Sequence, residues 1–288
     1  MTLEPELGTM CLTPHQRLNS RRSLSKGIKL ENKIKLLVTG LNGVVGQALF
    51  PALESRYEIS ALSRGGVEGI PPEKVFRADI ADIGAIRPAF AGIDVVLNLA
   101  ADGGIGSPVG QDAPWDSMLN NNIIGTYNVL QCALDAGVSR VILASSGATV
   151  NGYELEEPYK QLVAEEPEYM PDKWDLIDEF AEPKPINLYG VTKLFGEDLA
   201  RFYALTTNMS VLNLRVSDCT SEDSPRPGRS MANWSSYRDL QQLTIKCIEA
   251  PSELKFDIFW ATSDNARIYR DNSHAKDILG YIPEDGAQ

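Results

Sequence analysis

One stretch, Ile34 to Gly46 (IKLLVTGLNGVVG), limits what this chain can fold into more than any other. Ile34 to Val38 is an almost continuous apolar run, the pattern of a parallel strand covered on both faces. It leads into Thr39-Gly40-Leu41-Asn42-Gly43-Val44-Val45-Gly46, and then into Ala48-Leu49-Phe50, a segment of helical character. In a strand–turn–helix of this kind the first glycine allows the tight turn. The second lets backbone approach a pyrophosphate, and the third lets the helix press on the strand. Backbone N–H groups and the positive end of the helix then face the phosphates. A glycine triplet alone is a weak signal in a chain with 23 glycines. Its position between a buried-type strand and a helix makes a dinucleotide-binding turn the expectation, against a plain strand–turn–helix.

The rest of the chain repeats the alternation. After a helix over 44–55, strands are expected at Tyr57–Leu62, Val75–Ile80, Ile93–Leu99 and Val141–Ser146, which predicts an α/β fold with a doubly wound parallel sheet. A helix containing Asn122, Gly125, Asn128 and Leu130 precedes the last of these. Residues 151–185, rich in Glu, Pro, Tyr and Trp, read as an insertion over the mouth of the site. Leu188–Tyr203 resumes as an amphipathic helix, Val211–Val216 as a sixth strand, Tyr237–Ala250 as a helix, Phe256–Ala261 as a strand and Ser273–Tyr281 as a short helix. The expected organisation is an extension over 1–32, disordered or loosely attached, a nucleotide-binding domain over 33–216, and a small substrate-binding region over 217–288. The first 32 residues lack the apolar h-region of a secretory signal, and Glu4 and Glu6 sit badly in an organellar transit peptide.

The net charge of −12 argues against nucleic acid or an anionic membrane as partner. No apolar run is long enough to span a bilayer. Cysteines at 11, 132, 219 and 247 lack metal-ligand spacing and suggest free thiols in a reducing, cytoplasmic compartment. With only His15 and His274 available, neither a metal site nor a histidine-based triad is expected.

Candidate pocket residues cluster at the carboxyl ends of the expected strands. After the second strand the chain has Ser63-Arg64-Gly65-Gly66 and no acid to hold the ribose hydroxyls. A guanidinium beside a hydroxyl suits the extra phosphate of NADP, which is favoured over NAD; a surface loop arginine is the alternative. Asp79 either accepts a bond from the adenine amino group, with Ile80 packed on the ring, or caps the next helix. Small residues at Asn98-Leu99-Ala100-Ala101, followed by Asp102, leave room for a ligand, and Gly103–Pro114 is a Gly/Pro-rich loop over the pocket.

Tyr189 and Lys193 carry the second signal, lying four apart at a helix start and so on one face. A phenol titrates near about 10, and an ammonium beside it favours the phenolate, which suits tyrosine to acid–base work. Lys193 is also placed to bond a nicotinamide ribose, and Ser145 or Ser146 to hold the substrate oxygen. A tyrosine stacked on the core is the plain alternative. Order decides: a glycine turn, a strand ending in serine, then Tyr-x-x-x-Lys.

In that order, with Asp79-Ile80, NLAA at 98–101, Asn122, Gly125-Thr126, the serine pair and YGVTK followed by FGE, the chain resembles the extended short-chain dehydrogenases/reductases of the NAD-dependent epimerase/dehydratase group. Asn122-Ile123-Ile124-Gly125, RVSDCT at 215–220, Trp234 and Asp271-Asn272-Ser273-His274 resemble the uronate dehydrogenases within it. The resemblance implies an NAD(P)-dependent oxidoreductase of a small sugar or sugar acid, homodimeric through the helices near 116–136 and 188–204. It implies Tyr189 as acid/base, Lys193 as its partner, Ser146 or Ser145 as holder of the substrate oxygen, and Asn122 as a helix-breaking residue supporting a proton relay. Gly40, Asn42, Gly43, Val44, Val45, Gly46, Ser63, Arg64, Asp79, Ile80, Leu99, Ala100 and Ala101 would hold the cofactor. Asp102, Ser146, Gly147, Ala148, Arg226 and Arg229 would face the substrate, Arg229 matching the arginine that holds a carboxylate in uronate dehydrogenases. Three departures stand out: Gly147-Ala148 in place of an Asn-His pair, Ser63-Arg64 in place of an acid, and the length of 151–185. A nucleotide-sugar 4-epimerase or dehydratase is the rival enzyme, though only some 70 residues follow Val216. A non-catalytic NADP-binding regulator is the rival outside enzymes.

Overall fold

The computed structural model describes residues 33–103 and 113–288. The expectations for residues 1–32 and for most of the Gly103–Pro114 loop therefore lie outside the described residues. Among the described residues, seven strands form one sheet: β1 (Lys35–Thr39), β2 (Glu58–Ser63), β3 (Val75–Arg77), β4 (Val95–Asn98), β5 (Arg140–Ser146), β6 (Ser210–Val216) and β7 (Phe256–Ala261). Every neighbouring pair is parallel, in the order β3-β2-β1-β4-β5-β6-β7. The order reverses between β1 and β4, which opens a crevice above their carboxyl ends. β7 comes from the C-terminal part of the chain, so residues beyond 217 complete the sheet as well as flanking it.

The helices are α1 (Val44–Arg56), α2 (Ile83–Ile86), α3 (Trp115–Met118), α4 (Gly125–Asp135), α5 (Tyr159–Val163), α6 (Leu188–Thr206), α7 (Ser230–Asn233), α8 (Tyr237–Ile248) and α9 (Ser273–Leu279). Strand β1 shows why its apolar run is unbroken. Leu36 and Val38 enter the core shared with Leu49 and Leu53 of α1 and Leu240 and Leu243 of α8. Leu37 enters the opposite core, with Val129 and Leu130 of α4 and Ala200 and Tyr203 of α6. Successive side chains point to opposite faces, so a strand buried on both needs both to be apolar.

Element ends differ from the sequence expectation by a few residues, each for a local reason. Tyr57 closes α1, its N–H donating to the Leu53 carbonyl at 2.9 Å, so β2 begins one residue later. At the sheet edge β3 stops at Arg77. The cap of the helix after it is Asp82, whose Oδ1 accepts from Ala85 N at 3.0 Å, and not Asp79. Asp79 instead takes the N–H of Ala81 at 2.9 Å. The α-helical pattern is interrupted around Asn122. Residues 119–124 widen to a π turn that joins α3 to α4.

Candidate active site

The glycine turn is built as its spacing requires. Gly40 has φ +70°, and a Cβ there would lie 2.7 Å from Ala100 N; a Cβ on Gly46 would lie 2.4 Å from the Leu41 carbonyl oxygen. Both positions are closed to any side chain by backbone. Among the described residues no side chain caps the N-terminus of α1, so its first-turn N–H groups, at Val44 and Val45, are available for an anion. Asn42 ties this turn to the end of β2, its amide donating to Gly66 O at 3.0 Å. Between the turn and the ends of β2, β3 and β4 lies a cavity of about 400 Å³, lined by Gly40, Asn42, Gly43, Ser63, Arg64, Asp79, Ile80, Leu99, Ala100 and Ala101 among others. Arg64 is exposed and makes no ion pair among the described residues. Ile80 is buried and packs on Gly125, where a Cβ would meet its Cδ1 at 2.4 Å. Thr39 fixes the floor: its hydroxyl donates to Asn98 Oδ1 at 2.5 Å and accepts from Ala100 N at 3.1 Å.

Tyr189 and Lys193 occupy the first turns of α6, which is capped by Asn187 through a 2.7 Å bond from Gly190 N. The Lys193 ammonium lies 5.3 Å from the centre of the Tyr189 ring and donates to the Ala144 carbonyl of β5 at 2.8 Å. The ring packs on Gly103, where a Cβ would approach within 3.1 Å. Asn122, only 2% exposed, holds three elements together. Its Oδ1 accepts from Asp102 N at 2.7 Å, and its amide donates to Asp102 O at 2.8 Å and to Thr192 Oγ1 at 3.0 Å. The Asp102 carboxylate is taken in turn by the Ser117 hydroxyl.

The two serines separate. Ser145 turns inward and donates to Glu197 Oε1, while Ser146, half-buried, accepts from Ala148 N at 3.2 Å. Ser145 therefore belongs to an internal network. Glu197 takes Arg215 Nε and Nη2, both at 2.9 Å, in an ion pair with side chains 5% and 2% exposed. The expected anion-holding arginines are also already engaged. Arg226 pairs with Glu222 at 2.7 Å on the surface. Arg229 grips Glu154 with two bonds, Nε to Oε2 at 2.6 Å and Nη2 to Oε1 at 2.7 Å. Burial disfavours the Glu154 charge, but Arg229, with Arg270 behind it, more than offsets this and holds the carboxyl below its ordinary range.

Sequence reasoning missed Arg270, Glu154 and Asn151, and noted Glu197 only as part of FGE. Arg270 is fully buried; it donates to Ser217 Oγ at 2.9 Å and Asn151 Oδ1 at 3.2 Å. Its guanidinium lies where a side chain on Gly147 would go, 2.4 Å from that ideal Cβ. The glycine that departs from the Asn-His pattern is thus imposed by an arginine 123 positions away. Glu197 did leave a signal, four residues after Lys193 on the same helical face.

The model of the NAD dependent epimerase/dehydratase family matches residues 36–239. The chain belongs to that family. It is 36% identical over 259 residues to an NAD-dependent glucose-6-phosphate dehydrogenase of Haloferax volcanii, covering 88% of this chain and 94% of the relative. It is 30% identical over 265 residues to an L-arabinose 1-dehydrogenase (NAD(P)+) of the same organism, covering 88% and 97%. The crystal structure of uronate dehydrogenase from Agrobacterium tumefaciens superposes with a TM-score of 0.72 at 29% identity, covering 88% of this chain and 86% of that one. The family's dinucleotide fits the residues present: an uncapped helix start, two glycines whose Cβ positions are filled by backbone, and a groove beside them.

Proposed function

We propose that this chain is an NAD(P)-dependent dehydrogenase of a small sugar or sugar acid, with Tyr189 as its acid/base. The observation that carries the reading is the placement of Tyr189 and Lys193 together on α6, with Lys193 anchored to Ala144 at the end of β5, beside Ser146. Gly40, Asn42, Gly43, Val44, Val45 and Gly46 would bind the pyrophosphate through backbone, and Asp79, Ile80, Leu99, Ala100 and Ala101 would enclose the adenosine side. The bound dinucleotide supplies a hydride acceptor. Ser146 orients the sugar hydroxyl, and Tyr189 takes its proton as the carbinol carbon is oxidised. Lys193 lies over the ring that takes the proton. Asn122 holds Asp102 and the first turn of α6 in register, so that both line one site.

Arg64, exposed at the rim of the groove without an ion-pair partner among the described residues, favours NADP over NAD. A homodimer through α4 and α6 accords with the large apolar side chains these helices expose, among them Tyr127, Val191, Phe202 and Leu205. Free thiols at Cys132, Cys219 and Cys247 suit a reducing, cytoplasmic setting. Replacing Tyr189 with Phe is expected to lower kcat about 10²–10⁴-fold on the best sugar while leaving cofactor affinity within a few-fold. Retained turnover in Tyr189→Phe would overturn the assignment.

A further inference from the structure

An arginine beside a sugar site reads a carboxylate with two parallel N–H bonds from Nε and one Nη. Arg229 gives those two donors to Glu154, at 2.6 and 2.7 Å. The second hydrogen on Nη2 goes to Asn151 Oδ1 at 2.8 Å. Glu154 is held from the other side as well, by the Tyr269 hydroxyl at 2.5 Å and by Arg270 at 3.6 Å. This cluster adjoins the reaction centre, because Asn151 joins Arg229 to Arg270, and Arg270 packs on Gly147, the residue after Ser146.

We propose that the sugar-facing end of this site accepts an uncharged polyol and rejects a uronate, because Glu154 fills the carboxylate fork of Arg229. The proposal rests on the dehydrogenase reading above and names its substrate class. A substrate carboxylate entering that fork would have to expel Glu154, a side chain 10% exposed, from Arg229 and Tyr269 together. Without that exchange, a uronate meets the carboxylate of Glu154 with its own. Arg270 offers no compensation, since its side chain is fully buried. Beside the ion pair, however, Arg229 keeps Nη1 unpartnered among the described residues, on a side chain 40% exposed as a whole. Next to Glu154 it makes a donor and an acceptor side by side, the pair that vicinal hydroxyls satisfy. Both Asn151 and Glu154 lie on the short 3₁₀ turn Asn151–Leu155, so the start of the inserted segment supplies the discrimination.

The test compares D-glucose, L-arabinose, D-glucuronate and D-glucose 6-phosphate as substrates, with NAD and NADP, alongside calorimetric titration of each sugar into the protein. For the wild type, kcat/KM is expected to be at least tenfold higher for a neutral sugar than for glucuronate. Glu154→Gln, which leaves both guanidinium groups without their carboxylate, is expected to close that ratio at least tenfold. A wild-type preference for glucuronate or the phosphate overturns the proposal, as does an unchanged ratio in Glu154→Gln that melts like the wild type. If Glu154→Gln does not fold, the wild-type preference alone decides. Absence of turnover with every sugar, with neutral sugars still bound more tightly than glucuronate, overturns the dehydrogenase reading and supports this one. Absence of binding by any sugar overturns both.

Discussion

Glu179 gives the clearest stability consequence of the buried polar chemistry. It is 3% exposed, its Oε1 takes the Trp260 N–H at 3.3 Å, and its Oε2 is buried without a partner among the described residues. Burial is the main cause that lifts its carboxyl from an ordinary 4.5 to about 7; hydrogen bonds from its own backbone and that of Trp260, with His274, oppose the rise, and Asp271 adds to it. Above pH 4.5 the unfolded chain loses this proton while the folded chain keeps it until about pH 7. Unfolding then releases a proton, so stability falls across that window and levels off above it. At about 1.36 kcal/mol per pH unit, the loss amounts to roughly 3 kcal/mol. Glu179→Gln has the shape of the neutral acid and does not titrate. Its stability relative to the wild type should therefore rise by about 3 kcal/mol between pH 4.5 and pH 8, or roughly 6–12 °C in Tm for a domain of this size. Urea unfolding of both proteins at intervals across this range isolates the effect, because every other titration cancels in the difference. A difference that stays flat with pH would refute the account of Glu179.

Two further outcomes follow from contacts in the site. Gly147→Ala places a methyl group on the buried Arg270 guanidinium, which cannot withdraw without leaving Ser217 and Asn151; a loss of ~1–3 kcal/mol is expected, and a wild-type melting curve would count against it. Arg64→Ala should weaken NADP at least tenfold and leave NAD nearly unchanged, by fluorescence titration; equal losses for the two cofactors would remove Arg64 from cofactor selection.

What was legible in the sequence depended on how local its cause is. Strand β1 and its turn announce themselves because burial on both faces demands consecutive apolar residues, and because backbone fills the Cβ positions of Gly40 and Gly46. Tyr189 and Lys193 were equally visible, since helical spacing alone puts them on one face. The choice between Ser145 and Ser146 was not. Adjacent residues in a strand point to opposite faces, and which face holds the site is set by how the whole sheet is wound. The Arg229–Glu154 pair and the contact of Arg270 with Gly147 join residues 75 and 123 positions apart, so no window of sequence contains them. Asn122, within the π turn, likewise bonds Asp102 and Thr192, 20 and 70 positions away.

The inward serine explains how the outward one is held. Strand β5 and helix α6 are joined at two levels, Lys193 to the Ala144 carbonyl and Glu197 to the Ser145 hydroxyl, and the two helix residues are four apart. A single bond would leave the helix free to pivot against the strand; two bonds one turn apart remove that freedom. Glu197 can serve as the second point only if its charge is matched, which Arg215 does with both oxygens from the neighbouring strand β6. Such buried ion pairs add little net stability, because desolvation consumes most of the Coulomb gain, while removing one partner costs about 3–5 kcal/mol. Orientation is what the pair contributes here. It fixes the register of α6 against β5, and with it the separation between Tyr189 and Ser146 on which the proposed proton transfer would depend.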